Sequence, residues 1–96
     1  MTKMLLLKSV DDKLADIGFR KVEDDYYHVR YERKNEKHNF TQVLTILHKI
    51  SGRHIILSYD RDLFDVKDIG NTCIGLTYYE TKLILKKMKK KGWVSK

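Results

Sequence analysis

The segment from Thr77 to Trp93, TYYETKLILKKMKKKGW, constrains this chain more than any other. Thr77 followed three residues later by Glu80 has the form of a capping box, in which each side chain accepts a hydrogen bond from the other residue's backbone N–H. Gly92 supplies a stop, because a glycine takes the left-handed conformation that ends many helices. Between these signals, at about 100° per residue, Tyr78, Thr81, Ile84, Leu85 and Met88 fall on one helical face. Lys82, Lys86, Lys89 and Lys90 fall on the opposite face, with Lys87 and Lys91 flanking it. A helix this amphipathic is stable only when its apolar stripe is covered, so the rest of the chain has to supply the surface.

Five further segments can do so. Met4, Leu7, Val10, Leu14 and Ile17 recur at spacings of three and four, which predicts a helix over 3–17 with Gly18 as its cap. A capping box at Ser9 and Asp12 would start the helix at Val10, but the stripe passes through Ser9 in phase, so we read the longer helix. Phe19 to Asp24 reads as a short strand and Asp24-Asp25 as a turn. Tyr26 to Arg33 alternates with a period of two, placing Tyr27, Val29 and Tyr31 on one side. The stretch 40–50 fits a helix through Phe40, Val43, Leu44, Leu47 and Ile50. It fits a strand through its branched residues and through the Ser51-Gly52 turn before Ile55, Ile56 and Leu57, and we read a strand. A two-residue turn there pairs Ile46 with Leu57, Leu47 with Ile56 and His48 with Ile55. Residues 60–76 are too long for a structureless loop and suggest either a helical turn near Leu63–Val66 or a short strand near Cys73–Leu76.

The expected architecture is therefore α+β, in the order α-β-β-β-β-α: one domain over 1–96 with an antiparallel three- to four-stranded meander and both helices packed on it, on the same face. This order of elements is similar to that of double-stranded-RNA-binding domains, a likeness at the level of fold. No apolar run approaches the roughly 18 residues of a membrane span. Met4-Leu5-Leu6-Leu7 between Lys3 and Lys8 is too short for a signal peptide. The lone Cys73 excludes an intramolecular disulfide. Together these lead us to expect a cytoplasmic protein without a membrane partner.

Charge is where function is most legible. The net charge is +7. Residues 77–96 hold seven lysines and one acid, and residues 1–76 are within one charge of neutral. A field so segregated favours a polyanion, nucleic acid first and an acidic protein surface second. Lys82, Lys86, Lys87, Lys89, Lys90 and Lys91 are the candidate nucleic-acid-binding residues. Lysine in place of arginine points to phosphate contact of low specificity, since bidentate base readout needs the guanidinium fork. Tyr79, Leu83 and Trp93 are candidate interface residues within or beside this half of the helix. Tyr26, Tyr27, Tyr31 and Tyr59 are further aromatics that a sheet could offer to bases.

Catalytic and metal-binding signatures are missing from the sequence. No HxH, HExxH, Cys/His cluster, glycine-rich phosphate loop or nucleophile elbow occurs. In the two-residue-turn register His48 and His54 point to opposite faces, which separates the two as ligands. His28 beside Arg30 or Lys49 is the one arrangement that would suit a nuclease. We expect no enzyme, no metal and no cofactor.

Ile17-Gly18-Phe19-Arg20-Lys21, Tyr31-Glu32-Arg33, the His48–Gly52 and Ser58–Asp60 stretches, Gly75 to Glu80 and Lys89 to Trp93 together resemble the small uncharacterised proteins encoded by phages and prophages of low-GC Gram-positive bacteria. The resemblance runs over most of the chain. It implies expression in a bacterial cytoplasm and a binding role, toward nucleic acid or toward a host or phage protein, and carries over no catalytic residues.

Overall fold

A computed structural model describes residues 8–49, 51–62 and 73–94. Among the described residues the elements are α1 (Val10–Asp16), β1 (Arg20–Asp25), β2 (His28–Asn35), β3 (Phe40–His48), β4 (His54–Asp60) and α2 (Tyr78–Lys90). The strands form one antiparallel sheet in the order β1-β2-β3-β4. This is the expected meander, and the α+β order holds.

The helix that contains Leu14 starts at Val10, so the continuous helix expected over 3–17 is interrupted at Ser9. Ser9 is extended, its side chain accepts from the Asp12 N–H, and the Asp12 side chain accepts from the Ser9 N–H. The capping box thus overrides the continuous stripe, because an extended Ser9 cannot also lie inside a helix. The residues before Lys8 in the longer reading lie outside the described region. Both helices end in the same motif. Gly18 (φ +98°) and Gly92 (φ +79°) follow the last turn. The next residue donates back to the helix in each case, Phe19 to the Leu14 carbonyl and Trp93 to the Met88 carbonyl. Phe19 with Leu14, and Trp93 with Met88, are then carried together into the core, the apolar contact that accompanies this kind of cap.

The hairpins differ from expectation in two places. β1 runs through Asp25, and the turn is made by Tyr26 and Tyr27, not by Asp24 and Asp25. Asp24 is held in the strand by Lys21 and Lys91, and Asp25 Oδ1 accepts the Tyr27 N–H at 3.0 Å, closing the turn one step later. In the β3–β4 hairpin the register is shifted by one: Ile46 pairs with Ile56, Leu47 with Ile55 and His48 with His54. The Lys49 N–H donates to the Arg53 carbonyl, and Gly52 N–H returns to the Lys49 carbonyl with Gly52 at φ +87°. The loop therefore has three residues closed by a left-handed glycine, where a two-residue turn was expected. One extra loop residue moves every β4 side chain to the other face.

With this register Val29, Tyr31, Leu44, Ile46 and Ile56 share the face that carries both helices. Val10 and Leu14 of α1, Leu83, Ile84 and Met88 of α2, and Phe19 and Trp93 complete the core. At about 25 cal/mol per Å² of apolar surface, fully burying each of these large side chains contributes roughly 1.5–3 kcal/mol. Beyond β4, Tyr59 forms an isolated antiparallel bridge with Cys73. A short strand near Cys73–Leu76 is one expected alternative for that end of the 60–76 connection; among the described residues the pairing is confined to this one bridge, and residues 74–76 are irregular, while the Leu63–Val66 alternative lies outside the described residues.

Candidate functional site

α2 keeps the capping box and glycine stop that the sequence announces, but it is rotated about its axis. Its buried residues are Glu80, Leu83, Ile84, Lys87 and Met88. Tyr78 is 79% exposed and Leu85 50%, so neither packs on the sheet as expected. Three aliphatic side chains at 83, 84 and 88 define the inward face, and the sequence reading weighted Tyr78 and Leu85 above Leu83. The face also admits two charged groups because partners meet them there. Glu80 is bridged at 3.0 Å by Arg33, whose guanidinium also covers the Phe19 ring at 4.1 Å and donates to Gln42 at 2.8 Å.

The second charged group is Lys87. Its Nζ lies 3.1 Å from Asp11 and 3.4 Å from Asp24. Lys91 reaches Asp24 at 2.6 Å and the Asp25 carbonyl at 2.7 Å. Lys21 bridges the same two acids at 2.9 Å each, and the Tyr31 hydroxyl donates to Asp11 at 2.7 Å. Three lysines, two aspartates and a tyrosine thus tie α2 to α1, β1 and β2. Burial works to raise the Asp24 carboxyl, but hydrogen bonds from Lys91 and Lys21 outweigh it and hold the group well below the usual carboxylate range. Asp11 is likewise depressed: burial opposes, and the bonds from Tyr31, Lys21 and Lys87 prevail. Burial and the bond to Asp11 push the Tyr31 hydroxyl upward.

The six lysines nominated from sequence therefore divide. Lys82, Lys86, Lys89 and Lys90 are exposed on one arc of α2. Lys87 and Lys91 are engaged inside the protein and are not free for an outside anion. Of the nominated interface residues only Tyr79 stays exposed, at 49%. Leu83 and Trp93 are core residues, at 2% and 7%, because helix rotation turns the first inward and the cap folds the second onto the body. Tyr78 and Leu85 take their place beside the lysines, with Lys82 Nζ 5.3 Å from the Tyr78 ring centre. Once the phase of the helix is set by Leu83, Ile84 and Met88, both exposures follow; that was the available signal.

The strand tyrosines do not form one face. Tyr31 is buried at 1%, Tyr59 pairs with Val43 on the side of the sheet away from the helices, and Tyr26 and Tyr27 stand in the β1–β2 turn. They join another group instead. The register shift sets His48 directly across from His54, on one face where opposite faces were expected, with rings stacked at 5.0 Å. Trp93 stacks on His48 at 5.2 Å and Tyr27 lies nearly parallel to His48 at 5.9 Å. Among the described residues no set of three or more His, Cys, Asp or Glu converges on a point. His28 is directed to Glu23 at 3.4 Å, which also takes Arg30 at 3.1 Å. No described helix is long and apolar enough to cross a membrane.

Comparison of the chain with protein-family models, with curated proteins and with solved structures finds no match. The reading of function therefore rests on the side chains themselves.

Proposed function

We propose that this chain is a non-enzymatic binding protein that holds the backbone of nucleic acid, with low sequence specificity, through Lys82, Lys86, Lys89 and Lys90. One observation carries the reading: these four cations share an exposed arc of α2, while the helix's single acid, Glu80, is turned inward against Arg33. An arc with no counter-charge of its own pairs with phosphates and releases their counterions. Four engaged lysines correspond to a salt slope, log K against log salt, of about −3.6 on duplex DNA, at roughly 0.9 per phosphate neutralised. The resemblance to phage and prophage proteins supports the cytoplasm of a bacterial host as the place of this activity. Replacing the four lysines together by glutamate is expected to abolish retention on DNA and RNA at low salt. Retention that survives the replacement sinks the proposal.

A second reading has an observation of its own. Tyr78, Tyr79 and Leu85 are exposed on the same arc as the lysines. Apolar anchors inside a cationic rim suit an acidic protein surface of the host or phage. Capture of a protein from host lysate that persists after nuclease treatment and at moderate salt, and is lost on Tyr79→Ala with Leu85→Ala, favours this reading over the first.

A further inference from the structure

The β1–β2 turn presents two aromatic rings to solvent on a backbone that is tied down. Tyr26 is 61% exposed and Tyr27 51%. Trp93 Nε1 donates to the Tyr26 carbonyl at 2.9 Å and Lys91 Nζ to the Asp25 carbonyl at 2.7 Å. The His48 N–H donates to the Tyr27 carbonyl at 2.9 Å. The first two bonds attach the turn to the C-terminal end of α2, the end at which Lys89 and Lys90 lie, and the third attaches it to β3. Tyr27 also lines a cavity of about 550 Å³, with His28, Leu47, His48, Lys49 and Ser51. That volume lies within the range of roughly 300–1,000 Å³ typical of small-molecule sites.

We propose that this cavity receives one unpaired base of a single-stranded nucleic acid, stacked on Tyr27, with the adjoining phosphate at Lys49. The inference rests on the reading of α2 as the backbone-binding face, and it narrows the ligand from nucleic acid in general to its single-stranded form. The lining combines what a flat, uncharged ring with an anionic tether needs. Tyr27 and His48 lie within 10° of parallel, which is the orientation of a stacking platform. Lys49 is exposed and is the one lysine or arginine among the described lining residues. Ser51 adds a hydroxyl that can donate or accept at a base edge. Stacking is indifferent to which base enters, in keeping with a helix that reads phosphates alone. A duplex keeps its bases paired inside the stack and has nothing to place in the cavity.

The test uses the chain's single tryptophan. Trp93 stacks on His48 at 5.2 Å, so occupation of the cavity is expected to change its fluorescence. The intact protein is titrated at low salt with single-stranded oligothymidylate and with a duplex of the same length. The single strand is expected to change Trp93 emission and the duplex to leave it unchanged. Tyr27→Ala is expected to weaken single-strand affinity on the order of tenfold, as loss of one stacked base does, and to leave duplex affinity unaltered. Tyr27→Phe, which keeps the ring, is expected to bind as the parent does. Single-strand affinity that is unmoved by Tyr27→Ala, but lost on the four-lysine replacement, overturns the pocket and leaves the helix reading standing. Loss on Tyr27→Ala alone, with the lysine variant binding normally, supports the pocket and overturns the helix reading. Absence of binding to either oligonucleotide overturns both.

Discussion

Lys86 and Lys87 are adjacent, chemically identical and opposite in role, and the pair offers a sharp test of how α2 is seated. Each is replaced by methionine, which keeps length and helix propensity and removes the charge. Lys87 is 8% exposed and its ammonium lies 3.1 Å from Asp11 and 3.4 Å from Asp24. A hydrogen bond to a charged group contributes about 1.5–3 kcal/mol. That figure has to be discounted, because the side chains of Asp11 and Asp24 remain 29% and 24% exposed and keep Lys21 and Lys91 as partners. We expect Lys87→Met to cost on the order of 1–2 kcal/mol, with solvent screening taken into account. For a domain of this size that lowers the melting temperature by roughly 4–16 °C. Lys86 is exposed, so Lys86→Met is expected to stay within about 0.5 kcal/mol of the parent. Binding reverses the ranking. Lys86→Met is expected to reduce the salt slope on duplex DNA by about 0.9, while Lys87→Met leaves it unchanged. Thermal unfolding followed by circular dichroism, with affinity measured at several salt concentrations, gives both readouts. If Lys87→Met melts with the parent and lowers the salt slope as Lys86→Met does, the internal network is not what holds this helix and the division of the lysines is wrong.

Two further predictions concern the charged groups inside the fold. Asp11 and Asp24 have carboxyls depressed below their unfolded values, so their stabilisation is present above about pH 4 and is lost as pH falls through the folded values. Tyr31 and Lys21 are raised, so theirs is present below about pH 10 and is lost as pH climbs beyond it; melting temperature against pH should be a plateau that falls at both ends, with Asp24→Asn flattening the acid limb. Arg33→Met strands Glu80, which is 6% exposed, without its guanidinium partner and is expected to cost about 3 kcal/mol or more by chemical denaturation; restoring much of that loss with Glu80→Gln in the same chain checks that the stranded charge is the cause.

Much of the fold was legible along the chain because its signals are local. Thr77 with Glu80, Ser9 with Asp12, and the glycines at 18 and 92 act within a few residues, and each marks a helix end in the structure. The alternation around Val29 and Tyr31 marks β2, and the branched run from Thr41 to Ile46 marks β3. Where the reading failed, the deciding partner was far away in sequence or hidden in the count of loop residues. Nothing near Lys87 announces Asp11, which lies 76 residues earlier. Likewise nothing near Glu80 announces Arg33. The histidine pair depended on whether the turn before Arg53 took two residues or three, and Ser51-Gly52 is compatible with both.

The lysine-rich helix shows the same division. Its ends, its length and its excess of positive charge are properties of consecutive residues and were determined by the sequence alone. Which lysines face solvent was not, because rotation about the helix axis is set by what the core accepts. The sheet takes Leu83, Ile84 and Met88 and rejects Tyr78 and Leu85, and two distant aspartates make burial of Lys87 affordable by bonding its ammonium. Four lysines are left exposed where the sequence counted six, and the β1–β2 turn with Tyr26 and Tyr27 meets the C-terminal end of the helix through Lys91 and Trp93, which bond the Asp25 and Tyr26 carbonyls.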